Sequence, residues 1–467
     1  MAAAAALAVS TASVLAAAAA YAAADTVPGQ IDVVAEAGAK GDGTADDTAA
    51  VQRAIDAAYH SHRKVYFPGG TYRIDGDLDW SKPASFAGDP DSPAILTSPG
   101  NKQLADLAYS NKWDRSPTVD NLVFDGLRIN LNGPHKHGLT ITRSIFINRM
   151  APDEDPSGGT QQTSTDQQVS VGLQNVRGAQ LTNSVFLSAR PADGGVPISS
   201  YRTRQLRVSG NLLGADLGRL EWLGQWAGGA SWSQNPAVRL RAVHDKVQLP
   251  DALGHLQRGM SLKLDEDLAV SENIINRDPR SQAKSDHALY VWGFNGALVK
   301  DNWVRGWPQD ARGGLKIRNG EHATVTGNYL SGTALLLYTY DVSNAPRSFR
   351  DIVICDNVYD IRGEDPAPSH NGFMYWKNFS QTGVEEAIAI FNNRFLDDQK
   401  GQPDRPDISQ SRGDSNAFSA HNNTYADGST VPVIGMSGAE PSASQVGRCS
   451  TSPAPGLSVP SYSSPLF

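Results

Sequence analysis

VKDNWV at 299–304 and VTGNYL at 325–330 carry the pattern that decides the fold: an apolar residue, two variable ones, an asparagine, then apolar residues again. The pattern stands upstream as LTNSV (181–185), VSGNLL (208–213) and VSENII (270–275). Downstream it returns as ICDNV (354–358), IFNNRF (390–395) and AHNN (420–423). Where no insertion intervenes the copies stand about 26 to 30 residues apart, the period of a structural repeat. Each repeat reads as one coil of short parallel strands joined by tight bends. Asparagine suits such bends because it tolerates left-handed backbone and its amide bonds locally. Stacked from coil to coil, the amides can also share hydrogen bonds. The fold class expected is all-β, a single-stranded right-handed parallel β-helix.

Composition agrees with that class: glycine is abundant at 44 residues, methionine is scarce at five, and the apolar runs are short. No long linker interrupts the chain before about Gly438, so residues 25–437 are expected to form one elongated domain followed by a Ser/Pro-rich tail, 438–467. The first 24 residues are almost entirely Ala, Leu and Val and end in Ala22-Ala23-Ala24, a small-residue cleavage pattern. This stretch reads as a signal peptide, although no Lys or Arg follows Met1, and it is too short for a good membrane anchor. A secreted protein, extracellular or periplasmic, is the expectation. The net charge of −8 offers no excess of cations to displace the counterions of a nucleic acid. Neither nucleic acid nor membrane is expected as a partner, and a monomer is. In an oxidising compartment Cys355 and Cys449 could form a bridge pinning the C-terminal segment to the body.

A second signal stands at the front of the chain. GAKGDGTADDTAAVQRAIDAA (38–58) contains a helix-like run from Ala49 to Ala58, with Val51, Ile55 and Ala58 at helical spacing after capping residues. KVYFPGGTYRI (64–74) follows. The combined segment resembles the N-terminal cap of the pectate-lyase superfamily, in which a helix covers the open end of the β-helix. The resemblance implies a fold and leaves the reaction open, because lyases, glycoside hydrolases and phage tailspikes share it.

Alternation along the strands upstream of each asparagine divides inward from outward residues. Leu262, Leu289, Leu315, Leu337 and Met374 are expected in one inward column. Outward rows would then be Lys263 with Asp265, Tyr290 with Trp292, Lys316 with Arg318, Tyr338 with Tyr340, and Tyr375 with Lys377. The last two rows contain insertions, where a slip of one residue swaps faces. Aromatic rings stack on sugar faces and cations bind carboxylates, so this face predicts an acidic polysaccharide as substrate. A lyase acting on such a polymer removes the C5 proton beside the carboxylate and expels the oxygen at C4. It needs a group to neutralise the carboxylate, a base and an acid. Arg318 with a neighbouring His or Asn fits the first role; Tyr290 and Lys316 fit the other two in either order, and His287 is a candidate for neutraliser or base.

The stretch GLKIRNGE (314–321) followed by VTGNYLSG (325–332) resembles the catalytic coil of β-helical alginate lyases, with Arg318 matching the family arginine. One group of those enzymes uses calcium and a lysine one coil earlier; here Tyr290 stands near that place. No metal ligands and no cofactor are therefore assigned, with calcium left as a possibility. The expected activity is a polysaccharide lyase, alginate first among substrates. The alternatives are a polygalacturonase-like hydrolase, with Asp265 and Asp286 as its one plausible acid pair, and a non-catalytic carbohydrate-binding β-helix. A long insertion, about Gly214 to Gly259, holds Trp222, Trp226, Trp232, Arg239, Arg241 and His244. It reads either as a groove wall, with Arg239 and Arg241 binding substrate, or as a satellite core. His135-Lys136-His137 and Asp265-Glu266-Asp267 read as solvated turns, and Arg412-Gly-Asp414 as a chance tripeptide.

Overall fold

Among the described residues each repeat folds into a coil with three strand faces, and its strands pair in parallel with those of the neighbouring coils. The computed structural model describes residues 29–106, 110–149, 169–189, 195–214, 243, 246–247, 254–278, 287–307, 314–333, 335–339, 348–360, 373–377, 384–396, 408–410 and 415–449. The coils build a right-handed parallel β-helix, the hand that crossovers between parallel strands take. One face stacks Val196–Tyr201, Met260–Lys263 and the first halves of Leu289–Lys300 and Leu315–Thr326. A second stacks Arg207–Ser209, Glu266–Ser271 and the second halves of those long strands. The third stacks Ile274–Asn276, Trp303–Arg305 and Tyr329–Ser331. Leu289–Lys300 turns the corner between faces at Gly293 and Gly296, whose φ values of 70° and 79° cost glycine nothing.

The repeated asparagines form one continuous buried ladder. The side-chain amide of Asn211 donates to Asn273 Oδ1 at 3.0 Å, and Asn273 donates to Asn302, Asn302 to Asn328 and Asn328 to Asn357 at 2.9 Å. Asn357, Asn393 and Asn423 continue it. The left-handed backbone belongs to the residue before each rung: Glu272, Asp301 and Asp356 have φ of 58°, 54° and 56°. The sequence reading merged these two positions. Asn183, counted among the copies, occupies the left-handed position with φ 48°. Its coil carries the rung on Ser184, which takes a backbone bond from Ser144 and donates its own N–H to Asn211 Oδ1.

The interior is filled by aliphatic residues and aromatic stacks such as Phe124–Phe146–Phe186, with ring centroids 4.7 and 5.1 Å apart. The N-terminal helix, Thr48–Ser61, closes one end with Ala50, Val51, Ala54, Ile55 and Ala58 buried. Its N-cap, Asp47, makes no side-chain capping bond; the carboxylate reaches back to the N–H groups of Lys40 and Gly41 and ties down the preceding loop. The outer side of the third face is also apolar, through Val185, Leu212, Ile274 and Trp303, and Val243 of the long insertion packs into that cluster. At this point the insertion behaves as a satellite core. Cys355 and Cys449 form a disulfide, Cα–Cα 6.2 Å, and Arg448 beside it bonds Thr324 and Asp351. Residues 438–449 are thereby fastened to the body.

Lys136 is fully buried, contrary to the solvated loop expected there. Its ammonium pairs with Asp106 at 2.6 Å and donates to Asn111 O at 2.9 Å, as a charge removed from water requires. His135 beside it is exposed. Among the described residues no helix is long and apolar enough to cross a membrane. The N-terminal 28 residues and Arg412-Gly-Asp414 lie outside the described residues.

Candidate functional site

The backbone register puts the predicted outward residues into two adjacent columns. One runs Gly172, Ser199, Ser261, Tyr290, Lys316; the other runs Gln174, Tyr201, Lys263, Trp292, Arg318. Between them the core residues Leu262, Val291 and Ile317 point inward. Neighbouring coils are about 4.8 Å apart, so functional groups from three coils converge on Tyr290. Arg318 Nη1 donates to the Tyr290 hydroxyl at 2.9 Å. Lys316 Nζ lies 5.8 Å from the centre of the same ring. Arg258 reaches that ring from the preceding coil, its guanidinium carbon 5.6 Å from the centroid. The His287 ring stands 5.3 Å from it, tilted by 33°. The Arg318 guanidinium also lies 5.5 Å over Trp292.

Tyr290, Lys263 and His287 are buried, whereas Lys316, Arg318 and Trp292 are partly exposed. Such a cluster of cations and ring-bound donors favours anionic groups, a carboxylate or a developing oxyanion, at the Tyr290 hydroxyl. Arg258 was missed in the sequence because it belongs to the end of the long insertion. Aligning RGMSLK (258–263) with HALYVW (287–292) by strand register would have placed it beside Tyr290.

Several expectations change. The inward residues are Met260, Leu289, Leu315 and Leu335 in one column and Leu262, Val291, Ile317 and Leu337 in the next, with Phe373 and Tyr375 in backbone register with Leu335 and Leu337. Met374, expected in register with the inward leucines, instead falls in backbone register with Leu336 and Lys316. Tyr375 pairs in register with core Leu337, and Lys377 with Thr339, so neither belongs to the outward columns; Trp376 takes that place next to Tyr338. The slip is one residue and arises from insertions of unequal length between these strands. Tyr338 keeps its expected position beside Arg318. Tyr340, Arg239, Arg241, Trp222, Trp226, Trp232, His244 and Asp286 lie outside the described residues.

Asp265 does not share the outward face with Lys263. It is buried in the turn after the strand and accepts from Ser200 Oγ, Thr203 N and Thr203 Oγ1. Burial pushes its carboxyl up to about 6 against these bonds. It locks two coils together and does not reach the face. Glu266 and Asp267 are exposed and paired with Arg204 and Arg207. Cys355, Asp356 and Cys449 approach one another as metal ligands would, but both sulfurs are committed to the disulfide.

Residues 31–186 match the family model described as rhamnogalacturonase A/epimerase, pectate lyase-like. Two mannuronan C5-epimerases of Azotobacter vinelandii are 57% identical to this chain over 44 residues. That match covers 9% of this chain and spans 4% of the length of those curated relatives. Among solved structures, the A-module of another A. vinelandii mannuronan C5-epimerase aligns with 87% of this chain and 96% of its own, at 13% identity and a TM-score of 0.46. A surface adhesin of Streptococcus pneumoniae aligns over 85% and 84%, again at 13% identity and 0.46. A catalytic unit of an α-1,3-glucanase from Streptomyces thermodiastaticus aligns over 88% and 66%, at 14% and 0.41.

Proposed function

We propose that this chain is an exported polysaccharide lyase that cleaves a polyuronate, alginate first, by β-elimination. The observation that carries the reading is the contact of the Arg318 guanidinium with the Tyr290 hydroxyl, with Lys316 one coil away against the same ring. A uronate seated there presents its carboxylate to Arg318, with Arg258 and His287 nearby. Its C5 proton then faces Tyr290 and Lys316. One of the pair takes the C5 proton while the carboxylate spreads the negative charge. The C4–O bond breaks, a C4–C5 double bond forms, and the other member protonates the leaving oxygen. The disulfide supports export, because such bonds persist in oxidising compartments.

Among the described residues, hydrolysis has less support. It needs two carboxyls about 5–9.5 Å apart across the scissile bond, and Asp265 is enclosed in a turn. A second reading, C5 epimerisation, is favoured by the short likeness to mannuronan C5-epimerases. It shares the proton removal and differs in returning a proton to C5 without breaking the chain. Incubation with alginate, polymannuronate, polyguluronate and pectate separates these readings. A lyase gives products that absorb in the ultraviolet and a shortened chain. An epimerase changes the ratio of the uronic acids at constant chain length. New reducing ends without ultraviolet absorbance would reject both readings.

A further inference from the structure

Past its last coil the chain turns back along the outside of the β-helix. Glu440 stands 4.0 Å from His421 of Phe418–His421. Gln445 Nε2 donates to Ala387 O of Val384–Phe391 at 3.4 Å. Arg448 pairs with Asp351 of Ser348–Cys355, donates to Ala323 O and reaches Thr324 Oγ1 at 3.0 Å. Residues 440–449 thus cross four successive coils against the direction in which the helix grows. The last strand reached, Leu315–Thr326, is the one that carries Lys316 and Arg318. Val353, Cys355, Ala389 and Phe391 alternate with core Ile354 and Ile390, so they belong to the outer side of the second face. They are nevertheless buried, and Cys449 packs against them. Without the Cys355–Cys449 bond this strap has little to hold it. Its short helix, Ala443–Val446, has no buried residue. The side chains of His421 and Glu440 are 41% and 83% exposed, and exposed ion pairs contribute little. Coils of a solenoid touch only their neighbours, so the end coils open most readily. The bond joins residues 94 apart in sequence and takes that long loop out of the open ensemble.

We propose that residues 440–449 are a redox-controlled clasp. While the bond is intact, the clasp ties the last coil to the coil of Lys316 and Arg318. Reduction releases it and bares the outer cluster of Val353, Ala389 and Phe391. Cys449 is partly exposed and Cys355 is buried, so an incoming thiolate attacks the Cys449 sulfur. A mixed disulfide forms and the Cys355 thiolate leaves. The second thiol of the reductant, a dithiol, then displaces Cys449. The dithiol closes to its own disulfide, and Cys355 and Cys449 each gain one electron and one proton. The clasp is therefore closed in an oxidising compartment and open in a reducing one. None of this depends on which reaction the Tyr290 cluster performs.

The test is hydrogen exchange, read by mass spectrometry, on the full chain before and after reduction with dithiothreitol, with thiol labelling to show that the bond has opened. Cys449→Ser, which cannot form the bond, is measured alongside; reduction of the folded wild type keeps the test valid if that variant fails to fold. Opening the clasp should speed exchange over 384–396 and 418–421 by at least about tenfold. Cleavage by trypsin after Arg448 should accelerate with it, while exchange over 123–148, many coils away, stays as it was. Arg448→Ala, with the bond intact, should change exchange over 384–421 less than reduction does. Exchange and cleavage unchanged after reduction overturn the clasp. Exchange rising equally over 123–148 overturns it too, because the bond would then hold the whole helix and not its last coils. An Arg448→Ala effect as large as that of reduction overturns the assignment of the bond as the latch.

Discussion

Replacing Asn302 by alanine tests whether the buried ladder, and not the bends themselves, holds the coils in register. Asn302 Oδ1 accepts from the backbone N–H of Asn273 at 3.1 Å and from its side-chain amide at 2.9 Å. Asn302 Nδ2 donates to Asn328 Oδ1 and to Val270 O, both at 2.9 Å. Truncation leaves two donors of Asn273 buried with nothing to meet, at about 1–3 kcal/mol each, so the expected loss is about 2–6 kcal/mol. Asn422 is the control. It occupies the exposed left-handed position with φ 51° and makes one amide bond to Asn392. Asn422→Gly relieves backbone strain and gives up one surface bond, so its effect should stay within about 0.5 kcal/mol. Urea unfolding followed by circular dichroism measures both. An Asn302→Ala loss no larger than that of Asn422→Gly would refute the idea that the amide ladder is the structural spine.

Other substitutions address the site and the interior. Tyr290→Phe should retain the ring and the fold while lowering turnover by about 10² or more, the usual cost of losing a general acid or base. Arg318→Lys should not restore the function lost in Arg318→Ala, since a point ammonium cannot reproduce the fork that grips a carboxylate; comparing KM and kcat of the two variants checks this. Tyr359 packs against Phe395 with ring centroids 4.7 Å apart, and its buried hydroxyl has no partner. Tyr359→Phe should therefore raise stability by about 1 kcal/mol in urea unfolding. Asp265 titrates higher in the fold than when unfolded, so its protonated form contributes stability that is complete below pH 3.8 and is lost as pH rises through about 6. Wild type should gain on Asp265→Asn by about 3 kcal/mol between neutral and acid pH; a pH-independent difference would contradict the assignment.

The fold was legible because a repeat announces itself: an asparagine at a fixed place between apolar residues needs no knowledge of contacts. Its role was read one residue off. Sequence shows that a bend favours Asn, Asp, Gly or Glu near that place, but only the backbone separates the left-handed residue from the rung. The Tyr290, Lys316 and Arg318 cluster was legible because two consecutive strands, Leu289–Lys300 and Leu315–Thr326, share their length and alternation. Past Arg318 the alternation alone could not fix the phase, and Tyr375 and Lys377 stand one residue out of the expected register, opposite Leu337 and Thr339. Asp265 and Lys136 were misread for a different reason. Their burial depends on corners contributed by neighbouring coils, which no local pattern reports.

The central claim is removal of the C5 proton of a uronate at Tyr290. It is tested most directly with alginate carrying deuterium at C5. The account predicts release of deuterium to water by the wild-type protein, at least about 10²-fold slower release by Tyr290→Phe, and ultraviolet absorbance rising with it. Chain cleavage with the label fully retained at C5 would contradict the account.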